Sequence, residues 1–525
     1  MSKTILYEDE ARKAVLEGAR KLYEAVSKTM GPKGRNVVID YPGMGPQTTH
    51  DGVTVARSID LDDKNLGEKT GADLIRNAAS QMNDEVGDGT TTVTVLTYHL
   101  LKELNRQVTA GVNPMVIKRQ LDEVLEDALE ELKELKVEAS DLKTLQSIAT
   151  VSAGDKELGE LIAGVVHEVG VDGSVVIESS GGEKDVVEMV NGYTFDGGFI
   201  VPHMANNKEF TKAVYAEVPV LVTDKVLAYA SDLIPLLDDI AKDGGRELVI
   251  VSPGIEGEAL MFLIHNRQKG QFNALGVKAP GVGELQKDYL SDIAAVVGAN
   301  FISIETGADI QKATKADLGK ASKVIASKDK TSILTEESEV LTEWTKGVRA
   351  RLEEPDLSEH SKKQITERVA TLEGRVATIK ATGRTPQEVE EKKFRVEDAV
   401  MACKAALAEG IVAGGGITLL RLSKNLIAKD EASRAVKIAL EQPFLMLMEN
   451  AGLNGPALIE KVYEPNPEDA SGVDVQTGKI VSMFEAGIID PLKATRQAIE
   501  TSFSVAGLAI TMGALVLETP KPVDK

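Results

Sequence analysis

The texture of this chain changes twice along its 525 residues, and those two changes limit its architecture more than any single motif does. Roughly the first 135 residues carry long helical patterns, among them Glu8–Thr29 and a second opened by Asn113 and Pro114, an N-cap followed by proline at the first helical position. Roughly the last 115 read alike, with Asp490-Pro491 as another such opening before a run of small and apolar residues. From about 175 to 335, short β-branched runs (Ser174–Glu178, Val218–Thr223, Glu247–Ser252, Asn300–Ile304) alternate with helical segments. The pattern predicts an α/β domain inserted into a helical one. Between Leu341 and Ile379, Pro355-Asp356 separates two charged helical stretches, and Ile365, Val369, Leu372, Val376 and Ile379 share a face of the second. That predicts an antiparallel helical hairpin with a solvated charged face.

Length alone implies about three domains and several cores. The formal charge of −22 repels phosphate backbones and excludes a general nucleic-acid binder. Aromatics are scarce, so the cores are built from aliphatic side chains. Cys403 is the sole cysteine, which excludes an internal disulfide and any thiolate-rich metal site and suits a reducing compartment. The first twenty residues are charged and lack the apolar core of a signal peptide, and the most apolar stretch, Phe503 to Leu517, is broken by Ser504, Gly507, Thr511 and Gly513. It reads as a buried helix and not a membrane span. A cytoplasmic protein without membrane partners is expected.

Gly87-Asp88-Gly89-Thr90-Thr91-Thr92 stands where a helix begins, since Val93, Leu96, Leu100, Leu101 and Leu104 follow at helical spacing. Free N–H groups of a first turn attract anions, threonine hydroxyls donate to phosphate oxygens, and Asp88 is suited to Mg²⁺. An ordinary helix cap by Asp88 or a threonine accounts for the same residues equally well. A second glycine turn, Thr29 to Asn36, lies between a helix and the strand-like Val37-Val38-Ile39, and Ala413-Gly414-Gly415-Gly416 separates two helical patterns. Thr49-His50-Asp51-Gly52 reads as a hairpin turn, Asp490 as an N-cap, and Asp398 as solvated, because it falls off the stripe of Val389, Val396, Val400, Cys403 and Leu407. No paired-histidine metal motif, GxSxG elbow or Walker loop occurs.

Taken together, residues 29–36, Asp51 to Arg57 and 87–92 resemble the group I chaperonins, the bacterial GroEL family and its mitochondrial counterparts. Ala149 to Ala153, Lys278-Ala279-Pro280-Gly281, Arg395 to Ala399, Ala413 to Gly416 and Asp490-Pro491 continue the resemblance in the family's order over essentially the whole chain. It implies a multidomain α and α/β chaperonin fold: a helical equatorial domain (1–135 and 410–525), a small α/β intermediate domain (136–190 and 375–409) and an inserted α/β apical domain (191–374). It further implies an ATPase of two stacked heptameric rings that captures unfolded polypeptides, works with a GroES-type co-chaperonin lid, and uses ATP with Mg²⁺ and K⁺.

Carried over position by position, the resemblance assigns Thr29, Met30, Gly31, Pro32, His50, Asp88, Gly89, Thr90, Thr91, Thr92, Gly415, Asp474 and Asp490 to the nucleotide, with Asp88 on Mg²⁺. Asp398 would position or activate the attacking water, assisted by Asp51. Phe199, His203, Met204, Ile234, Leu237, Leu260, Ile264 and His265 would bind clients, although apolar residues at such spacing are more often core. Four departures stand out. His50 replaces the usual lysine, so a fixed charge becomes a titrating one. His203 and His265 make the client surface more polar, and Asp474 replaces an asparagine. The chain ends in Thr519 to Lys525 without Gly-Gly-Met repeats, which predicts weaker retention of a client. A passive holding protein with weak ATPase activity and a metabolic ATPase are the alternative readings.

Overall fold

The computed structural model describes residues 2–519 except 42–44, 62–66, 140, 172, 181–183, 208–211, 304, 306, 337, 354–358, 384 and 464–469. The chain forms two compact units: one comprises Met1–Val171 with Thr382–Lys525, the other Asp172–Ala381.

The discontinuous unit is built around the Thr90–Thr109 helix. Val93, Leu96, Leu100 and Leu104 are buried, and so are Thr94 and Thr97 on other faces, so the helix is enclosed on most of its circumference. Its buried hydroxyls are satisfied internally: Thr94 donates to the Thr90 carbonyl at 2.9 Å, and Thr97 to the Ser502 hydroxyl at 3.0 Å. Helices Glu8–Val26, Glu68–Val86, Glu431–Asn450 and Leu492–Ile510 pack around it and contribute Leu22, Ile75, Leu440 and Phe503 to one core. Ser2–Tyr7 pairs antiparallel with Ala514–Thr519, which brings the two ends of the chain side by side. Phe503 to Leu517 is therefore not one buried helix. The helix stops at Ile510, and the remainder turns at Gly513 into the terminal strand. No helix among the described residues is long and apolar enough to cross a membrane.

The second unit holds an eight-stranded mixed sheet in the order Ser174–Ser179, Arg375–Ala381, Val186–Asp196, Lys330–Leu334, Gly319–Ala326, Ala213–Val222, Glu247–Ser252, Asn273–Lys278. Three consecutive strands, from Ala213–Val222 onward, run parallel, and the buried Val220, Leu221, Val222 and Leu248 to Val251 give them the near-continuous apolar runs that such strands require. Of the stretch Asn300 to Ile304, residue 304 lies outside the described residues, and the described residues 300–303 form no strand but only an isolated bridge from Thr223 to Ile302.

The charged hairpin is present as Glu339–Ala350 and Glu359–Leu372, with Pro355-Asp356 outside the described residues. Val376 and Ile379 are not on its second helix. The chain turns at Gly374 and both residues join the sheet, on a strand that lies between two neighbours and whose Val376 to Ile379 are buried in succession on both faces. A buried charge fastens the hairpin to the sheet unit. Arg368 donates through Nε to Asp292 Oδ2 and through Nη2 to Asp292 Oδ1, both at 2.8 Å, and the single tryptophan, Trp344, donates to Asp292 Oδ1 at 2.8 Å. Asp292 and Arg368 are almost wholly buried and Asp288 also reaches Arg368 at 2.9 Å, so it is removal of Arg368 that strands the Asp292 charge, at a cost of about 3–5 kcal/mol.

Candidate functional site

The Thr90–Thr109 helix opens with Gly89 as N-cap at φ 77°, in the left-handed region, and no side chain caps it. The ordinary-cap reading thus fails. Among the described residues, Asp88 Oδ1 accepts only from the neighbouring Gly89 N–H, at 2.6 Å, while helix geometry leaves the N–H groups of Thr90, Thr91 and Thr92 without intrahelical acceptors.

Residues from distant parts of the discontinuous unit converge on this turn. Thr29 Oγ1 lies 3.2 Å from Thr91 Oγ1. Gly52 approaches so closely that a Cβ there would come 2.3 Å from Thr91 Oγ1, so any side chain would fill the space in front of the threonines. Thr49 to Gly52 is a strand-to-helix junction and not a hairpin turn. Asp51 accepts from the N–H groups of Val53 and Thr54 and caps the Gly52–Ser58 helix, whose Val53, Val55 and Ala56 are buried at helical spacing. The hairpin itself, Val37–Tyr41 with Gly45–Thr49, turns upstream. His50 is exposed, and a Cβ on Gly34 would come 2.9 Å from its ring, which places His50 beside the Thr29 to Asn36 turn.

Gly415 and Gly416, at φ 62° and 75°, form the turn before the Ile417–Asn425 helix. Asp490 is not an N-cap. It sits in the strand Ile489–Pro491, paired with Ile411–Ala413, and the next helix begins at Leu492 with Pro491 as its N-cap. A Cβ on Gly414 would come 2.9 Å from Asp490 Oδ1, so the carboxylate stands against the glycine run. Asp474 is engaged within its own turn, accepting from Thr477 Oγ1 at 2.7 Å and Gln476 N at 2.9 Å. Those bonds, that to Thr477 foremost, hold its carboxyl below the usual range, and Lys33 adds to the effect.

Asp398 is half-buried and not solvated. Burial first, then the charges of Asp51, Asp88 and Glu397, push its carboxyl up to about 8. Asp490 is pushed up to about 7 by burial and by Asp88, and burial raises Asp88 against the opposing Gly89 bond. No basic side chain contributes to any of these three shifts. Periodicity misplaced Asp398 because the Pro386–Glu409 helix faces both its apolar neighbours and this carboxylate cluster.

Carboxylates gathered at the positive end of a helix, with no basic side chain among the described residues shifting them, have the chemistry to accept a cation beside an anion. Among the described residues no three His, Cys, Asp or Glu side chains could hold a metal by themselves. That donor set suits Mg²⁺, which takes one or two carboxylates and completes its shell with phosphate oxygens and water. In metal- and nucleotide-free protein, the raised carboxyls contribute stability that is complete below the ordinary carboxylate range and lost as pH rises through about 7 and 8. The thermal unfolding midpoint should therefore fall between about pH 4 and pH 8 and level off above that, and Asp398→Asn should flatten that fall. A pH-independent midpoint over this window would contradict the clustering.

In the sheet unit, the Gly257–Gln268 helix is apolar on two sides. Ala259 and Leu263 enter the core, whereas Leu260 and Ile264 are half-exposed and Met261 is 65% exposed. Ile234 is exposed on the Ile234–Lys242 helix, and His203 and His265 are exposed as well. Phe199, Met204 and Leu237 are instead buried in the core of this unit, so they lie beneath a surface and do not form it. Sequence reasoning missed Arg267. It donates to the carbonyls of Met204 and Ala205, both at 2.8 Å, and to the Tyr215 hydroxyl at 3.1 Å, fastening the His203-Met204 turn to the end of that helix. An arginine after an apolar run carries no signal of such a role.

A helical unit made from both chain ends and carrying an inserted α/β unit, with an uncapped N-terminus on its central helix, is the architecture of a chaperonin. The TCP-1/cpn60 chaperonin family model matches residues 22–520, and the chain belongs to that family. Two crystal structures of the chaperonin gp146 from the bacteriophage EL 2 (Pseudomonas aeruginosa), both in presence of ATP-BeFx, share its fold. Their TM-scores are 0.71 and 0.65 at 21% identity, covering 98% of this chain and 99% of that one.

Proposed function

We propose that this protein is an ATP-driven chaperone whose Thr90 turn binds the triphosphate and whose Gly257–Gln268 helix, with Ile234, captures unfolded chains. The observation that carries the reading is the meeting of Asp51, Asp88 and Asp398 at an uncapped helix N-terminus. Thr29, Met30, Gly31 and Pro32 would border the phosphates with Gly89, Thr90, Thr91 and Thr92, and Gly415, Asp474 and Asp490 would face the base and ribose. Mg²⁺ at Asp88, with K⁺ as the companion cation, would neutralise developing phosphate charge. Asp398, supported by Asp51, would orient the attacking water and accept its proton; the same bound cations favour the ionised form that this role needs. The equatorial, intermediate and apical division at 135, 190, 374 and 409, the heptameric double ring, the co-chaperonin lid and a cytoplasmic site of action belong to this proposal.

On the capture side, burying roughly 400 Å² of client apolar surface at about 25 cal/mol/Å² contributes on the order of 10 kcal/mol before ordering costs, so release requires a change of the surface. The test is a chemically denatured client protein followed by light scattering: the chain alone should suppress aggregation, and Mg²⁺-ATP should release the client. Suppression that ATP does not relieve would favour the second reading, a holding protein. That reading is motivated by exposed His50, which supplies no fixed charge where the family resemblance expects a lysine. His50→Lys should then raise turnover.

A further inference from the structure

The Glu431–Asn450 helix lies against both glycine turns of the candidate nucleotide site. A Cβ on Gly416 would come 2.9 Å from the Phe444 nitrogen, and one on Gly31 would come 2.3 Å from Leu447 Cδ2. The two turns are separated by most of the chain, yet one helix sets the position of each. At the end of that helix, Asn450 Nδ2 donates to the Ser27 carbonyl at 2.9 Å and to the Met30 carbonyl at 3.0 Å. A carboxamide has two N–H donors, and both are directed at this one turn. The turn is held from its other side by Thr29 Oγ1, 3.2 Å from Thr91 Oγ1, and Met30 packs with Val95 and Met446 in a small apolar cluster. The adjacent Lys28–Glu449 ion pair is solvent-exposed and contributes little.

We infer that Asn450 is a positioning residue for nucleotide binding: its carboxamide fixes the Ser27 to Gly31 turn in the conformation that meets the phosphates. This rests on the nucleotide-site reading above. Asn450 touches neither Asp398 nor Asp51, which lie on other elements, so its loss should weaken binding and leave the chemical step alone. A turn without the clamp must be ordered by the ligand itself, and that ordering is charged to affinity.

The test uses the full chain, with Asn450→Asp and Asn450→Gln. Aspartate keeps the size but sets oxygens against two carbonyl oxygens; glutamine keeps the donors on a longer arm. Equilibrium binding of Mg²⁺-ADP and steady-state ATP hydrolysis are measured, with the thermal midpoint and light scattering as controls of folding and assembly. Asn450→Asp should raise Kd and KM about tenfold, with kcat within about twofold of the parent and controls unchanged, and Asn450→Gln should recover part of the loss. Unchanged Kd in Asn450→Asp overturns the inference, and so does a joint loss of affinity, turnover and thermal midpoint, which marks a general structural role. A parent chain that does not bind Mg²⁺-ADP overturns the nucleotide-site reading itself, an outcome separate from a parent that binds and a variant that binds equally well.

Discussion

Asp398→Ala should lower the ATP turnover number by about 10²–10⁴-fold while leaving Mg²⁺-ADP affinity within about threefold. The expectation follows from placement and electrostatics together. Asp398 shares its surroundings with Asp51 and Asp88, yet it makes no side-chain hydrogen bond to any described residue. A half-buried carboxyl without hydrogen-bond partners contributes no bond to the fold, and its removal only relieves the penalty of ionising it there, so the loss should act on the reaction and should not weaken the fold. With its carboxyl near 8 in the free protein, it is largely protonated at neutral pH and becomes a competent base only when cations join the cluster. Asp398→Asn serves as the sharper control, since it keeps shape and removes only the charge. Steady-state phosphate release and nucleotide titration decide the matter: turnover within threefold of the parent in either variant would remove Asp398 from the mechanism.

The second large effect is expected at the opposite end of the function. Leu260→Glu with Ile264→Glu should weaken capture of a denatured client by on the order of 10²–10³-fold and leave basal ATP turnover unaltered. These side chains lie four residues apart on one face of the Gly257–Gln268 helix and are half-exposed; Leu260 also rests against the core, so the thermal midpoint of the double variant is measured beside its capture of client. Each substitution removes apolar contact area and forces a charge to be desolvated against the client. Leu263→Ala, by contrast, excavates the core and should lower stability, because Leu263 is only 2% exposed. Client binding measured by fluorescence anisotropy separates the two. Capture that survives the double substitution would mean that clients are held elsewhere.

Much of the architecture was legible because it rests on local periodicity. Helical ends and an α/β middle follow from residue spacing, and the helix start at Thr90 follows from the glycines before it. What spacing could not decide was which of several local solutions tertiary context selects. Asp51-Gly52 and Asp490-Pro491 each fit a common turn or cap, but the first opens a helix and the second lies in a two-stranded pairing. Val376 and Ile379 fit a helical stripe only as long as Gly374 is allowed to continue the helix. Asp398 fits a solvated face only as long as the other carboxylates, hundreds of residues away in sequence, are ignored. Phe199, Met204 and Leu237 show the same limit at the client surface, because a family pattern does not distinguish a side chain on a surface from one just beneath it. Asn450 and Arg267 were invisible for a plainer reason: both act by donating to backbone carbonyls of distant turns, and carbonyls have no sequence signature.

The central claim is that nucleotide at the Thr90 turn changes the exposure of the Gly257–Gln268 helix. Met261, 65% exposed on that helix, can be replaced by cysteine and labelled with a fluorescent dye, since the native Cys403 is fully buried. Quenching of the dye by iodide is then followed as Mg²⁺-ATP is added, with nucleotide occupancy measured on the same sample. Quenching that falls as the nucleotide site fills is the predicted result. Quenching that stays constant at full occupancy would contradict the coupling and leave a nucleotide-binding protein whose apolar surface is independent of ATP.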